Sequence, residues 1–314
     1  LGKENTFFCH CTLVPYLFGS GELKTKPTQN SVKDLRNMGI TPNALVCRVP
    51  YNTSDNLKSK LSLFCSIPKE NIIDSVDVSN IYQIPINYYE QKIDEIILNQ
   101  FNLELKPANL KEWKKLISTV DNLKDEIEIA LVGKYVELHD AYLSVNESLT
   151  HAGYKYNKKI KVNWIDSESL ENDSIDLSKV FKSSSGILVP GGFGMRGIEG
   201  KIKAINYART KNIPFLGICL GMQLAVIEFA RNVCQIKEAN STEFNPLTKE
   251  PIIDLMANQK SITNMGGTLR LGNYKCQITK DTLAYQDYKK ELIEERHRHR
   301  YEFNNQYKEL LESH

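Results

Sequence analysis

The chain has 314 residues, 41% of them hydrophobic and 25% charged, a balance that supports a packed core and excludes a mainly disordered chain. Forty Lys and Arg against thirty-eight Asp and Glu leave a net charge of +2, so bulk electrostatics give no reason to expect nucleic acid or an anionic membrane as partner. No apolar run approaches the roughly 20 residues that span a bilayer, and seven cysteines with no CxxC pair point to a reducing, cytoplasmic interior rather than a disulfide framework or a zinc ribbon.

The first residues, Leu1-Gly2-Lys3-Glu4-Asn5, carry no Met and no targeting pattern, and read like the interior of a longer chain. Phe7 to Leu17 predicts a strand, broken by Gly19-Ser20-Gly21. Within it, Cys9-His10-Cys11 has no second ligand pair at metal spacing, and alternation in a buried strand explains it better. Ser31 to Met38 predicts a short helix stopped by Gly39, and Ala44 to Cys47 and Leu61 to Cys65 predict short buried strands. Residues 1–100 thus read as one α/β block. Residues 101–126 read as a linker whose Leu110, Trp113, Leu116, Ile117, Val120 and Leu123 mark one face of an amphipathic helix.

From Ile127 to the end, residues 127–314, strands and helices alternate. Strands are predicted at Ile127–Val132, Ile160–Ile165, Gly186–Val189 and Pro214–Ile218. Helices are predicted at Asp140–His151, closed by Gly153, and at Ile198–Thr210 and Gly221–Arg231. The alternation implies an α/β fold, a mostly parallel sheet flanked by helices with its reactive groups beyond the carboxyl ends of the strands.

Gly217-Ile218-Cys219-Leu220-Gly221-Met222-Gln223 joins a buried strand to an apolar helix. Glycines two residues either side of a Cys form a nucleophile elbow with Cys in place of Ser. The sharp turn strains the nucleophile's backbone and leaves no room for side chains at the glycines. It also sets the sulfur at a helix N-terminus, where thiolate is expected to be favoured and the Leu220 N–H faces a developing oxyanion. A buried structural Cys beside a glycine turn is the alternative, and it is preferred for the other six cysteines. One βα unit upstream, Val189-Pro190-Gly191-Gly192-Phe193-Gly194-Met195-Arg196-Gly197 could complete an oxyanion hole; an ordinary strand-to-helix turn is its bland explanation, and it does not match a Walker phosphate loop.

Together the two loops carry a resemblance. Residues 186–233 resemble the class I glutamine amidotransferase domain of the CTP synthases. Further similar blocks are Gly133-Lys134-Tyr135-Val136 with Asp140-Ala141-Tyr142, Asn240-Ser241-Thr242-Glu243-Phe244, Met265 to Gly272, and Glu295 to Glu302. Gly19-Ser20-Gly21 to Gln29 resembles the pyrimidine-nucleotide loop at the end of that family's P-loop-type amidoligase domain, placed upstream in the right order. The resemblance implies a flavodoxin-like amidotransferase layer preceded by part of the ligase domain. It implies a carbon–nitrogen ligase in pyrimidine biosynthesis, with ATP-activated UTP aminated to CTP by ammonia from glutamine.

By the same resemblance Cys219 is the glutaminase nucleophile. Gly192 and Leu220 supply oxyanion N–H groups and, with Gly221, Met222, Gln223 and Glu243, hold glutamine. A carboxylate at Glu243 suits its ammonium and the planar fork of Arg300 its carboxylate. Lys24, Thr25, Lys26, Pro27, Thr28, Gln29 and Lys60 would meet UTP, or CTP as competing inhibitor, and Arg48 and Val78 ATP, for which core packing or a surface charge is the alternative. Family membership further implies Mg2+ with ATP, GTP as allosteric effector and a homotetramer. Arg296, Arg298, His297 and His299 are read as a solvated charged patch.

Two departures stand out. The family's His-Pro-Glu motif, which supplies the base and its orienting carboxylate, would come after His314, and no triad His is assigned. Its phosphate loop and Mg2+ carboxylates would precede Leu1, so no metal ligand is assigned. The expectation is a piece of the enzyme with depressed glutaminase activity and no CTP synthesis of its own. Rival readings are a glutaminase subunit feeding ammonia to another pathway, and an inert relative that assembles with intact subunits.

Overall fold

A computed structural model describes residues 2–256, 259 and 269–314, and its contacts divide into two compact units, Leu1–Leu123 and Lys124–His314. The first unit holds β1 (Cys9–Leu13), the ribbon β2 (Tyr16–Leu17) and β3 (Glu22–Leu23), α1 (Lys26–Asn37), β4 (Ala44–Val49), α2 (Asp55–Cys65), β5 (Ile72–Val76), α3 (Ile84–Glu90), α4 (Ile93–Gln100) and α5 (Lys111–Asp121). β1, β4 and β5 form a parallel sheet in that order, with Leu45, Cys47 and Val49 of the middle strand fully buried among Val14, Val32, Leu61, Cys65 and Ile72.

Leu61 to Cys65 is helix, not strand. Ser54 caps α2 by accepting the Leu57 N–H, and the two buried positions, Leu61 and Cys65, are one helical turn apart while Leu63 and Phe64 face solvent. The apolar run was too short to separate the two periods. α1 begins at Lys26, not Ser31, because Pro27 fits a first helical turn, where its missing N–H costs nothing. β1 is not buried: Cys9 and Cys11 are exposed, since among the described residues β1 pairs on one side only, with β4. The amphipathic helix of the linker packs onto the first unit, where the indole of Trp113 donates to the Tyr82 carbonyl at 2.7 Å and Asn80 donates to Asp121 at 3.0 Å.

The second unit begins with β6 (Asp125–Gly133), α6 (Leu143–Lys155), β7 (Lys158–Asp166), α7 (Leu177–Val180), β8 (Gly186–Val189), α8 (Ile198–Thr210), β9 (Phe215–Gly217) and α9 (Leu220–Asn232). The four strands form a wholly parallel sheet in the order β7-β6-β8-β9, the predicted α/β layer. Ile187 and Val189 pack with Ile202, Ile205, Leu224 and Ile227 of the covering helices. Gly153 does not close α6 but lies inside it: a Cβ there would sit 2.5 Å from the Lys158 carbonyl, so the glycine lets the helix pass close to β7. The rest of the unit holds β10 (Ala239–Ser241), β11 (Glu250–Leu255), β12 (Arg270–Gln277), α10 (Leu283–Tyr288), β13 (Leu292–His299), β14 (Tyr301–Phe303) and α11 (Lys308–Glu312). β10, β11 and β14 make a second sheet, and β12 and β13 an antiparallel hairpin. Among the described residues no helix is long and apolar enough to cross a membrane.

Candidate active site

β8 and β9 are neighbouring parallel strands with Val189 opposite Gly217, so the two glycine loops leave the sheet side by side. Their start is stapled by the Ile218 N–H donating to the Val189 carbonyl at 2.9 Å. Cys219 then stands at φ 53°, ψ −105°, a positive-φ conformation that a side chain adopts only under strain. Both flanking glycines are obligatory. A Cβ on Gly217 would lie 2.5 Å from the Gly221 carbonyl carbon, and one on Gly221 would lie 2.1 Å from the Val189 oxygen. Leu220 and Gly221 follow as the buried first turn of α9. Gly191 faces the nucleophile across the gap: a Cβ there would be 3.5 Å from that of Cys219, and one on Gly192 would be 3.4 Å from the Leu220 side chain.

The expected thiolate bias is reversed in this state. Cys219 is exposed by residue surface, yet desolvation by the surrounding protein pushes its thiol above the ordinary value; the Leu220 N–H pulls it down, and the Glu243 carboxylate pushes it further up. The helix N-terminus does not outweigh burial. The remaining cysteines behave as structural residues where they are buried, burial pushing the Cys47 thiol up to about 12.

The loop after β8 starts from buried Pro190, but its tip, with Phe193 59% and Met195 68% exposed, is held by polar contacts. The Gly194 N–H donates to Glu243 Oε1 at 2.9 Å. The ammonium of Lys134, just beyond β6, donates to the carbonyls of Phe193 and Gly194. Arg196 donates to the Lys134 carbonyl at 3.1 Å and pairs with Glu168 at 2.6 Å. Beneath them Lys201 of α8 is 2% exposed. Burial, with Lys134 and Arg196, pulls its ammonium down to about 8, against Asp166 and Glu171.

Glu243 follows β10 and is anchored by its own N–H on Ser241 Oγ at 3.1 Å. Gln223 is 5% exposed and spends its amide N–H on the Tyr301 carbonyl at 3.0 Å, whereas Met222 is exposed. Arg300 lies between β13 and β14 and donates to Gln259 Oε1 at 2.7 Å. The structure therefore gathers Cys219, Leu220, Gly192 and Glu243 around one turn, and ties Gln223 to the residue after Arg300. The Met265 to Thr268 part of the family block lies outside the described residues. His297 and His299 are not the solvated patch expected of them. They alternate onto the half-buried face of β13, His297 Nδ1 lies 2.8 Å from His299 Nε2, and His299 Nδ1 lies 3.0 Å from the Tyr301 carbonyl. Arg296 and Arg298 take the exposed face.

In the first unit, Lys24 ends the β2–β3 ribbon and pairs with Glu22. Lys26, Pro27, Thr28 and Gln29 form the first turn of α1 rather than a loop. Thr28 is fully buried and donates to the Leu13 carbonyl at 3.0 Å, and Gln29 donates to the buried Thr25 hydroxyl at 3.1 Å. A cavity of about 470 Å³ is lined by Glu22, Thr25, Tyr51, Ser54 and Lys60 among others, so Thr25 and Lys60 share it. Arg48 pairs with Asp77 at 2.8 Å, one residue before half-buried Val78, at the carboxyl ends of β4 and β5. Among the described residues no group of three or more His, Cys, Asp and Glu side chains converges as a metal site. Lys134 is noted in the sequence only as part of the Gly133 to Val136 block, with no role assigned, and Lys201 is not singled out. A lysine directly after the first strand of a parallel sheet was the available signal for the former.

Comparison with known proteins agrees with this geometry. The family model described as glutamine amidotransferase class-I matches residues 137–313, and that described as CTP synthase N-terminus matches residues 1–103. The chain is 54% identical over 314 residues to a CTP synthase of Hydrogenobaculum sp. and 52% identical over 314 residues to that of Geobacillus kaustophilus, in each case covering all of this chain but only 58% and 59% of the relative. The chain thus spans little more than half the length of these relatives. A solved structure, the Trypanosoma brucei CTPS glutaminase domain with bound acivicin, aligns with a TM-score of 0.56 and 39% identity over 60% of this chain and 72% of that one. The match over residues 1–103 favours the CTP synthase reading over a glutaminase subunit of another pathway. Through an elbow cysteine, a glycine loop beside it and matches along its whole length, the chain belongs to the CTP synthase family and carries that family's class I glutamine amidotransferase module.

Proposed function

We propose that the second unit is a glutaminase, in which Cys219 Sγ attacks the side-chain amide carbon of glutamine. The oxyanion is held by the N–H groups of Leu220 and Gly192, the C–N bond breaks, and the leaving nitrogen takes the proton that the thiol gives up. Water then cleaves the thioester to glutamate. Glu243 receives the substrate ammonium and Arg300 its carboxylate. The strained Cys219 backbone, wedged between two glycines that admit no Cβ, carries the reading.

In the longer protein the ammonia serves the ATP-dependent amination of UTP to CTP, a step of pyrimidine biosynthesis, in a cytoplasmic tetramer inhibited by CTP and activated by GTP. The cavity shared by Thr25 and Lys60 is consistent with a nucleotide there. In this reading Arg48 and Val78 meet the ATP, with the Arg48–Asp77 pair at the carboxyl ends of β4 and β5 as their setting.

The test is ammonia release from glutamine by this chain and by its Cys219→Ala variant. Release that depends on Cys219, even if slow, supports the glutaminase. Equal release by both, together with a Cys219 that resists a glutamine-mimicking diazo-ketone, removes it.

A further inference from the structure

We propose that Lys134 is a positioning residue of the glutaminase site: with Glu243 it grips the Phe193–Gly194 peptide at both ends and so fixes the loop that presents the Gly192 oxyanion donor. This rests on the glutaminase reading above and adds to it a residue that touches neither substrate nor sulfur. The two contacts fall on one planar amide. Its carbonyl, that of Phe193, accepts from Lys134 Nζ, and its N–H, that of Gly194, donates to Glu243 Oε1 at 2.9 Å. A peptide plane bonded at both ends cannot rotate without breaking one bond or the other. The Gly194 carbonyl accepts a second bond from the same ammonium at 3.1 Å.

The loop needs such a clamp. Gly194 and Gly197 take positive φ of 75° and 68°, no regular hydrogen-bond ladder runs through residues 190–195, and the side chains of Phe193 and Met195 lie mostly in solvent. Lys134 is itself rigidly set. Its N–H donates to Tyr142 Oη at 3.1 Å, its carbonyl accepts from Arg196, and the neighbouring Gly133 carbonyl accepts from the Ser167 N–H at 2.8 Å. The clamp also links recognition to chemistry. The carboxylate assigned to the substrate ammonium already bonds the loop, so occupancy of Glu243 and placement of Gly192 are coupled through one side chain.

The experiment compares two probes of Cys219 in this chain. A glutamine-mimicking diazo-ketone needs its carbonyl oxygen seated in the oxyanion hole, whereas iodoacetamide needs only the thiol. For Lys134→Met the maximal inactivation rate by the diazo-ketone should fall about tenfold, with half-saturation within about threefold of the parent and iodoacetamide labelling unchanged. Lys134→Arg, which restores donors, should recover most of the rate. Should the Met variant lose its cooperative melt, Lys134→Gln, too short to reach both carbonyls, must show the same fall. An unchanged maximal rate overturns the proposal. So does an Arg variant as slow as the Met one, or a parallel loss of iodoacetamide labelling. A parent chain that iodoacetamide labels and the diazo-ketone does not would instead sink the glutaminase reading itself.

Discussion

Lys201 offers a sharp test of the electrostatics beneath the site. Its ammonium is enclosed in the unit that bears Cys219 and falls from an ordinary 10.5 to about 8, with burial as the largest cause. That displacement corresponds to roughly 3 kcal/mol against the charged folded state. The sign follows from where the proton sits. Below pH 8 both states hold it and the folded state bears the whole penalty. Between pH 8 and 10.5 the folded state sheds it while the unfolded state keeps it, so stability rises with pH across that window. Lys201→Met keeps an unbranched stem and removes the charge. It should stabilise the second unit by about 2 kcal/mol at pH 7, allowing for relaxation around the charge. With m near 2–3 kcal/mol/M, that raises the urea midpoint by roughly 1 M. Trp164 of β7 reports this unit alone in a Trp113→Phe background, because the chain holds two tryptophans. At pH 9.5 the gain should shrink to less than half. A variant less stable than its parent at pH 7, or a gain of equal size at both pH values, refutes the reasoning.

Two further outcomes are expected. The iodoacetamide labelling profile of Cys219 should lie on the alkaline side of an ordinary thiol, and Glu243→Gln should move it toward lower pH by removing a facing negative charge; a profile that stays put or moves the other way contradicts the assigned cause. Gly221→Ala should cost about 1–3 kcal/mol or more in urea unfolding, because its Cβ meets the Val189 carbonyl at 2.1 Å and neither backbone can yield alone; wild-type stability and labelling in that variant would show that the elbow has room for a side chain there.

What the sequence disclosed followed the strength of local pattern. Ile198–Thr210 and Gly186–Val189 were readable to the residue, since one is bracketed by Gly197 and Asn212 and the other is a pure apolar run ending at Pro190. The elbow was readable because its glycines flank a cysteine at fixed spacing. Leu61 to Cys65 misled because five apolar-rich residues satisfy a strand as well as a helix, and the cap that decides between them, Ser54, lies outside the run. β13 was hidden in Glu294 to His299, whose charges obscure the alternation that puts His297 and His299 inward. Lys134, Glu243 and the Phe193–Gly194 peptide are separated by scores of residues and meet only through the order of the parallel strands, which spacing alone does not encode. The thiol's upward shift was missed for a related reason: helix-end position is visible in sequence, whereas desolvation is set by what folds over the sulfur.

The buried amide of Gln223 has a mechanical consequence. It sits one turn beyond Cys219 on α9 and is pegged to the backbone beside Arg300. The group proposed to catch a ligand's far end and the sulfur proposed to strike its near end therefore share a single rivet. That bond joins the strand junction directly to the helix that follows the nucleophile. A Gln223→Leu chain, which keeps the volume but loses the rivet, would let the two ends of the binding site drift independently, and the distance between them would cease to be a ruler for substrate length.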